Sequence, residues 1–160
     1  MPWIIFGRDE DPAPTPTVAG LDGQPVDLSA FRGKTALAMF FFRPGDCPEC
    51  WQLVERLKQA QAEIRTHDAE PLVVLPELPT GAALDPARLD GLTVLVDREG
   101  RLTRQYHAIF EFDTANQPML FVLNRSARPF RAYVDPSLDP EALMPRLLKY
   151  LEANALLCPE

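Results

Sequence analysis

Long hydrophobic runs are missing from this chain of 160 residues, although 46% of them are apolar. No stretch approaches the ~18 consecutive apolar residues of a membrane-crossing helix, so no membrane partner is expected. The start, "MPWIIFGRDEDPAPTPTV", lacks the basic flank of a secretory leader. Its apolar stretch covers only Trp3 to Phe6, and acids follow at once. A cytoplasmic location is therefore the expectation. Positive charge is also short: 16 Lys and Arg stand against 23 Asp and Glu, a net charge of −7. Nucleic-acid binding draws on clustered cations, so nucleic acid is not an expected partner. The charge itself serves solubility.

Metal ligands are few as well. The chain has 2 histidines and 3 cysteines. A structural zinc site needs four ligands at recognisable spacing. Beyond Cys47 and Cys50 the chain offers only His67, His107 and Cys158, with no such spacing among them. There is no Ser/His/Asp set, no phosphate-cradling glycine loop and no pair of carboxylates in a strong context. No internal repeat or second domain boundary appears, so residues 1–160 are expected to form one domain. Pro12, Pro14 and Pro16 alternate with other residues. They predict an extended N-terminal arm over 1–16, and 152–160 is expected to be a tail.

Proline, by contrast, is abundant, at 17 residues, and together with glycine it punctuates the chain. "VAGLDGQPVDLSAFRGK" carries turn signals at Leu21-Asp22-Gly23 and Arg32-Gly33-Lys34 around a short alternating piece. It predicts a hairpin followed by one helical turn capped by Ser29. "TALAMFFF" is almost continuously apolar and stops at Arg43-Pro44-Gly45, the pattern of a strand buried on both faces. In "PECWQLVERLKQAQAEIRTH", Leu53, Val54, Leu57, Ala60, Ile64 and the methylenes of Gln61 make one stripe at helical spacing. Pro48 suits the first helical position.

"PLVVLPE" and "LTVLVD" predict two more strands, and "LTRQYHAI" a short helix. "PTGAALDPARLDG" predicts a loop with one helical turn. "PMLFVLN" and "PFRAYV" predict a strand pair turning at Asn124 to Arg128. "DPEALMPRLLKYLEANAL" predicts a final helix with Asp139 as cap, in which Pro145 comes early enough to be tolerated. The alternation implies an α/β fold built on βαβ crossovers, with an antiparallel element added by the last strand pair.

In "FFFRPGDCPEC" two cysteines sit three positions apart where a strand gives way to a helix. Chemistry in open α/β sheets gathers beyond the carboxyl ends of the strands. There Cys47 falls at or just before the N-cap and Cys50 in the first turn. Both sulfurs are expected to be reachable from outside, at the positive end of a helix dipole that stabilises a thiolate. A thiolate attacks disulfides, and a neighbouring thiol resolves the mixed disulfide. Half of a zinc site, a structural disulfide and two inert buried thiols are the alternatives at this point.

The order "LDGQPVDLSAFRGKTALAMFFFRPGDCPEC", "LTVLVDREGRLTRQYHA" and "QPMLFVLNRSARPFRAYV" resembles the thioredoxin superfamily. More narrowly it is similar to the branch of AhpC/TSA (peroxiredoxin-like) proteins and TlpA/ResA-like thiol-disulfide oxidoreductases, from about Pro14 to Tyr150. The resemblance implies a thioredoxin fold: a central mixed sheet flanked by helices, here with an N-terminal hairpin extension. It also implies a cis-proline opening the strand that faces the cysteines, which matches Pro118, with Gln117 presenting its backbone to substrate. No organic cofactor is implied, only a redox-active disulfide, protein or small-molecule thiol partners, and a thiol-based electron donor. The chain departs from the thioredoxin pattern in carrying Asp46 before the first cysteine and Trp51 after the second. It departs from peroxiredoxins in carrying Cys47 where their Thr or Ser stands, with Cys50 in the peroxidatic position.

The favoured expectation is a thiol-disulfide oxidoreductase in which Cys47 attacks, Cys50 resolves and Pro118 shapes the substrate groove. Pro48, Glu49, Trp51 and Arg43 support the pair. A hydroperoxide-reducing antioxidant acting through Cys50 is the second reading. A Cu(I) carrier using Cys47, Cys50 and His107 is the third. Asp46 and Glu49 oppose a Cys47 thiolate whereas Arg43 favours it, a balance that leans toward a reductant. Elsewhere, His107 reads as a structural histidine and Cys158 as a free tail thiol or a resolving partner. Trp51 either packs under the motif or fills a core gap.

Overall fold

The structure, a computed structural model, describes residues 3–45, 47–79 and 85–157, with Pro86 described by its backbone alone. The strands are β1 (Trp3–Ile5), β2 (Thr17–Ala19), β3 (Pro25–Asp27), β4 (Ala36–Phe41), β5 (Ala69–Leu75), β6 (Thr93–Val96), β7 (Met119–Leu123) and β8 (Pro129–Val134). The helices are α1 (Pro48–Gln59), α2 (Gln61–Thr66), α3 (Arg101–His107) and α4 (Pro140–Leu156). One mixed sheet runs in the order β1-β8-β7-β4-β5-β6, and β2 and β3 form a separate two-stranded hairpin. β4, β5 and β6 are parallel, whereas β7, β8 and β1 run antiparallel to their neighbours.

β4 lies between β5 and β7, and all six of its residues are buried. Side chains alternate across a strand, so β4 serves two cores. Ala36, Ala38, Phe40 and the following Phe42 face a cluster with Leu53, Val54 and Leu57 of α1, Ile64 of α2 and Leu143, Leu147 and Leu151 of α4. Leu37, Met39 and Phe41 face a second cluster with Leu102 and Tyr106 of α3, Phe121 of β7 and Leu28 beside the hairpin. Uninterrupted apolarity over this stretch is what a strand covered on both faces requires.

The N-terminal arm is more structured than expected. Trp3–Ile5 is an edge strand antiparallel to β8, with Trp3 opposite Tyr133. The indole meets Tyr133 and Tyr150 edge-on, with ring centroids 5.3 and 4.9 Å apart, and these contacts seat a strand too short to hold itself. Further along the arm, Ala13 N–H donates to Ala127 O at 2.7 Å, and Tyr106 OH donates to Pro14 O at 2.6 Å.

Three further sequence expectations are corrected. The helical turn at Leu28–Phe31 is capped by Asp27, not Ser29: its Oδ1 accepts from Ser29 N at 3.0 Å and from Ser29 Oγ at 2.7 Å. The long helix after the cysteines is two helices, broken at Ala60 (φ −94°, ψ 3°). Gln61 serves this break with its amide as well as its methylenes. Its Nε2 donates to Lys58 O at 3.0 Å and its Oε1 accepts from Arg65 at 2.8 Å. Gly91, at φ 80°, packs against the same amide, and a Cβ there would fall 2.0 Å from Gln61 Oε1. Finally, α4 continues to Leu156, into the stretch assigned to the tail, because Leu151 and Asn154 are still buried. Pro145 is exposed in α4. It deprives the exposed Glu141 of a helical partner, a carbonyl that water can serve.

Candidate redox site

The site lies where β4 hands over to α1. Phe42 N–H donates to Val74 O at 3.1 Å, carrying the sheet register one residue past β4. The chain then turns through Gly45, whose φ of 85° is the left-handed region that glycine enters without strain. Asp46 lies outside the described residues.

Cys47 is the N-cap of α1, as expected, and Pro48 opens the helix, where its missing N–H costs nothing. The Cys50 N–H donates to Cys47 Sγ at 3.2 Å. Sulfur thus takes the capping role usually held by an Asp or Ser oxygen. Cys47 and Cys50 are disulfide-bonded, with Cα atoms 5.2 Å apart. One helical turn brings the two sulfurs together, as the spacing predicts.

Both cysteines are buried rather than exposed, which corrects the expectation of sulfurs reachable from outside: Cys47 is 3% exposed and Cys50 is 0%. They belong to the same core cluster as Phe40, Phe42, Leu53 and Val54, so the apolar stripe of α1 extends up to the redox pair itself. Trp51 is half-buried against this cluster. Its indole meets Phe42 edge-on at 5.0 Å, and the Arg88 guanidinium lies 4.1 Å from its ring centroid. Trp51 thus packs against the core cluster that also holds the two cysteines. Arg88, from the turn at Pro86–Leu89, is a neighbour that sequence reasoning missed, since nothing local ties it to the cysteines.

Charge near Cys47 comes from Glu49 and Arg43. The Glu49 carboxylate lies 3.9 Å from Cys47 Sγ, and Arg43 approaches the same carboxylate oxygen at 3.8 Å. In the reduced protein the thiol S–H can donate to Glu49, while a thiolate would meet a like charge. Both effects favour the protonated thiol. Arg43 and the helix N-terminus act in the opposite sense.

Pro118 sits at the same end of the sheet. Met119 pairs with Phe41, the last residue of β4, so Pro118 immediately precedes β7 at the edge from which the cysteine loop departs. Pro118 is buried, and Gln117 is half-buried with its N–H donating to Thr114 O at 3.1 Å. Among the described residues no peptide bond is cis. The expectation of a cis bond before Pro118 is thus corrected: the bond is trans, the form that an X–Pro amide intrinsically prefers.

His107 does not join the cysteines. It ends α3, whose buried residues pack on the opposite sheet face, and its Nδ1 is bonded to Thr114 Oγ1. Burial lowers its pKa below the usual histidine value, partly opposed by Asp113. Among the described residues no cluster of three or more His, Cys, Asp or Glu side chains is placed to hold a metal ion. Cys158 lies outside the described residues.

The model of the AhpC/TSA family matches residues 10–128. Comparison with curated sequences finds no match. Among solved structures, the peroxidoxin BcpB from Mycobacterium tuberculosis superposes with a TM-score of 0.74 at 15% identity, over 90% of this chain and 96% of that one. A 2-Cys peroxiredoxin from Plasmodium vivax gives 0.72 at 15% identity, over 90% and 94%. The Chlorobium tepidum protein assigned as thiol:disulfide interchange protein DsbE gives 0.65 at 24% identity, over 89% and 96%. At these identities the likeness establishes the fold: a mixed α/β sheet of thioredoxin type with helices on both faces.

Proposed function

This chain belongs to the AhpC/TSA family, and on that premise we propose that it is a thiol-disulfide oxidoreductase acting through Cys47 and Cys50 as one thioredoxin-like domain. The observation that carries the reading is the bonded Cys47–Cys50 pair at the N-terminus of α1, with the Cys50 N–H directed at Cys47 Sγ. That N–H and the helix dipole stabilise negative charge on Cys47 once the pair is reduced.

In the forward reaction the Cys47 thiolate attacks one sulfur of a substrate disulfide. A mixed disulfide forms, and the other substrate sulfur leaves as a thiolate. Cys50 then loses its proton and attacks Cys47 Sγ. This restores the protein disulfide and releases the second substrate sulfur as a thiol after protonation. Two electrons pass to the substrate, and an external dithiol returns them. Gln117 and Pro118, at the same end of the sheet as the cysteine loop, are the residues this reading assigns to the approach of substrate. Because Cys47 is buried in the disulfide form, its sulfur has to become accessible for the mixed disulfide to form. The acid at Glu49 supports a reductant or an exchanger of modest potential over a strong oxidant.

The test is reduction of insulin by dithiothreitol, which the wild type should accelerate and Cys47→Ser should not. Cys50→Ser should accumulate a mixed disulfide through Cys47. A pair whose reduction potential cannot equilibrate with thiol buffers without unfolding would overturn the reading.

A thiol peroxidase is the second reading, supported by the fold likeness to the Mycobacterium and Plasmodium proteins. Here the Cys50 thiolate takes the terminal oxygen of a hydroperoxide to form a sulfenic acid and releases the alcohol. Cys47 then condenses with the sulfenic acid to give the disulfide and water. Complete burial of Cys50 weighs against it, since peroxide must reach that sulfur. Consumption of hydroperoxide by the reduced protein, faster than insulin turnover, would favour this reading over the first.

A further inference from the structure

The end of the sheet farthest from the cysteines carries a basic cavity. Its volume is about 490 Å³, and it is lined in part by Arg8, Arg125, Arg128, Arg131, Asp68 and Asn154. Ala36, the first residue of β4, also lines it. A strand rises ~3.3 Å per residue, which sets this cavity roughly 17 Å from Phe41 and farther from the cysteine pair. It is a separate place from the redox site.

Among the described residues, four arginines line this cavity beside one carboxylate, Asp68, in a protein whose net charge is −7. Most of the local positive charge is therefore not neutralised by the lining. Arg125 approaches Asp68 at 3.5 Å. Arg128 Nε donates to Glu10 O at 3.1 Å, so that side chain is held by backbone and not by an acid. Arg131 is the most telling. Its guanidinium lies 4.0 Å from the Phe130 ring centroid and 5.1 Å from that of Tyr150. One of its NH2 groups donates to Phe130 O at 2.8 Å. Its Nε is buried and has no hydrogen-bond partner among the described residues. A buried donor without an acceptor is costly and uncommon, so this guanidinium keeps hydrogen-bonding capacity that the described residues leave unused. Asn154, 8% exposed, adds a neutral polar group.

The geometry points to a binding site for a phosphate-bearing small molecule in this cavity. Its volume is within the range of small-molecule sites. Arginine forks match the oxygens of phosphate in pairs of parallel hydrogen bonds. A doubly charged phosphomonoester also answers the local excess of positive charge better than a single carboxylate. The rings of Phe130 and Tyr150 fix Arg131 in place, so little side-chain freedom is lost on binding.

Calorimetric titration of the full chain with inorganic phosphate and with glycerol phosphate tests this. Both should bind saturably, and succinate should bind at least about tenfold more weakly. Arg128→Gln and, separately, Arg131→Gln should each weaken phosphate binding by about tenfold, while Arg101→Gln on α3 leaves it unchanged. Arg131 stacks on two rings, so its variant is read only if its urea midpoint is native-like. Arg128→Gln decides the matter otherwise. Absence of saturation at millimolar phosphate would overturn the proposal. So would equal affinity for succinate, insensitivity to the variants, or an equal loss in Arg101→Gln, which would signal bulk charge alone.

Discussion

Replacing Glu49 by Gln should make the Cys47 thiolate easier to form. The carboxylate lies 3.9 Å from Cys47 Sγ. Two unit charges at that distance repel by about 1 kcal/mol in water-like surroundings and by about 4 kcal/mol at an effective dielectric of ~20. The Glu49 side chain is 46% exposed and Arg43 approaches it at 3.8 Å, so the lower figure applies. About 1 kcal/mol corresponds to about a fivefold change in a protonation equilibrium. Loss of the S–H···O contact in the reduced protein works in the same direction. Thiolate absorbance followed against pH in the reduced protein should therefore move toward acid in Glu49→Gln. Alkylation of Cys47 by iodoacetamide at neutral pH should rise up to about fivefold. A more stable thiolate also makes the disulfide easier to reduce, by at most about 20 mV for this two-electron couple. Arg43→Gln should shift both measurements the opposite way. An absorbance curve that stays put or moves toward alkali in Glu49→Gln would refute the argument, since it would show that the carboxylate does not act on the sulfur.

Three further outcomes are expected. Leu53→Ala, which empties a completely buried position behind the redox pair, should cost about 2–5 kcal/mol in urea denaturation, with the pair still able to form its disulfide. Asp97 is buried and accepts from Leu102 N at 3.3 Å and from Thr103 N and Oγ1 at 2.8 Å each. Asp97→Ala should cost about 1–3 kcal/mol by the same assay and show as early loss of amide-exchange protection in α3. The pKa of His107 is lowered, first by burial, with Asp113 opposing. Its contribution to stability is thus present above the unfolded histidine value of about 6.5 and fades as pH falls toward the folded value. The urea midpoint should drop less between pH ~7 and ~5 in His107→Gln than in the wild type, and parallel drops would disprove the assignment.

The parts of the fold written in contiguous residues were legible. The apolar run of β4, the stop at Arg43-Pro44-Gly45 and the cysteine spacing predict a strand, a turn and a helix cap, and the structure has all three. What escaped was set by residues far apart in sequence. Ala60 fits the helical stripe, yet the helix breaks there because Gln61 and Arg65 are drawn to the segment around Gly91. Trp3 to Ile5 are too few to announce a strand, and only the β8 edge and two tyrosines make them one. Burial of Cys47 depends on how the apolar stripe of α1 continues into the cluster around Phe40 and Phe42, a matter of tertiary packing. Arg8, Arg125, Arg128 and Arg131 look like scattered surface charges along the chain; the pairing of β1 with β8 and the turn after β7 gather them.

The bond from Tyr106 to the Pro14 carbonyl makes the first stretch of the chain a strap over the α3 side of the sheet. A protease cut ahead of Thr17 would strip an acceptor from a phenol that is fully buried. The damage would surface in the layer opposite the cysteines. A fusion partner whose bulk pulls this strap aside would loosen α3 in the same way, while leaving the redox chemistry to fail only later, when the sheet itself gives.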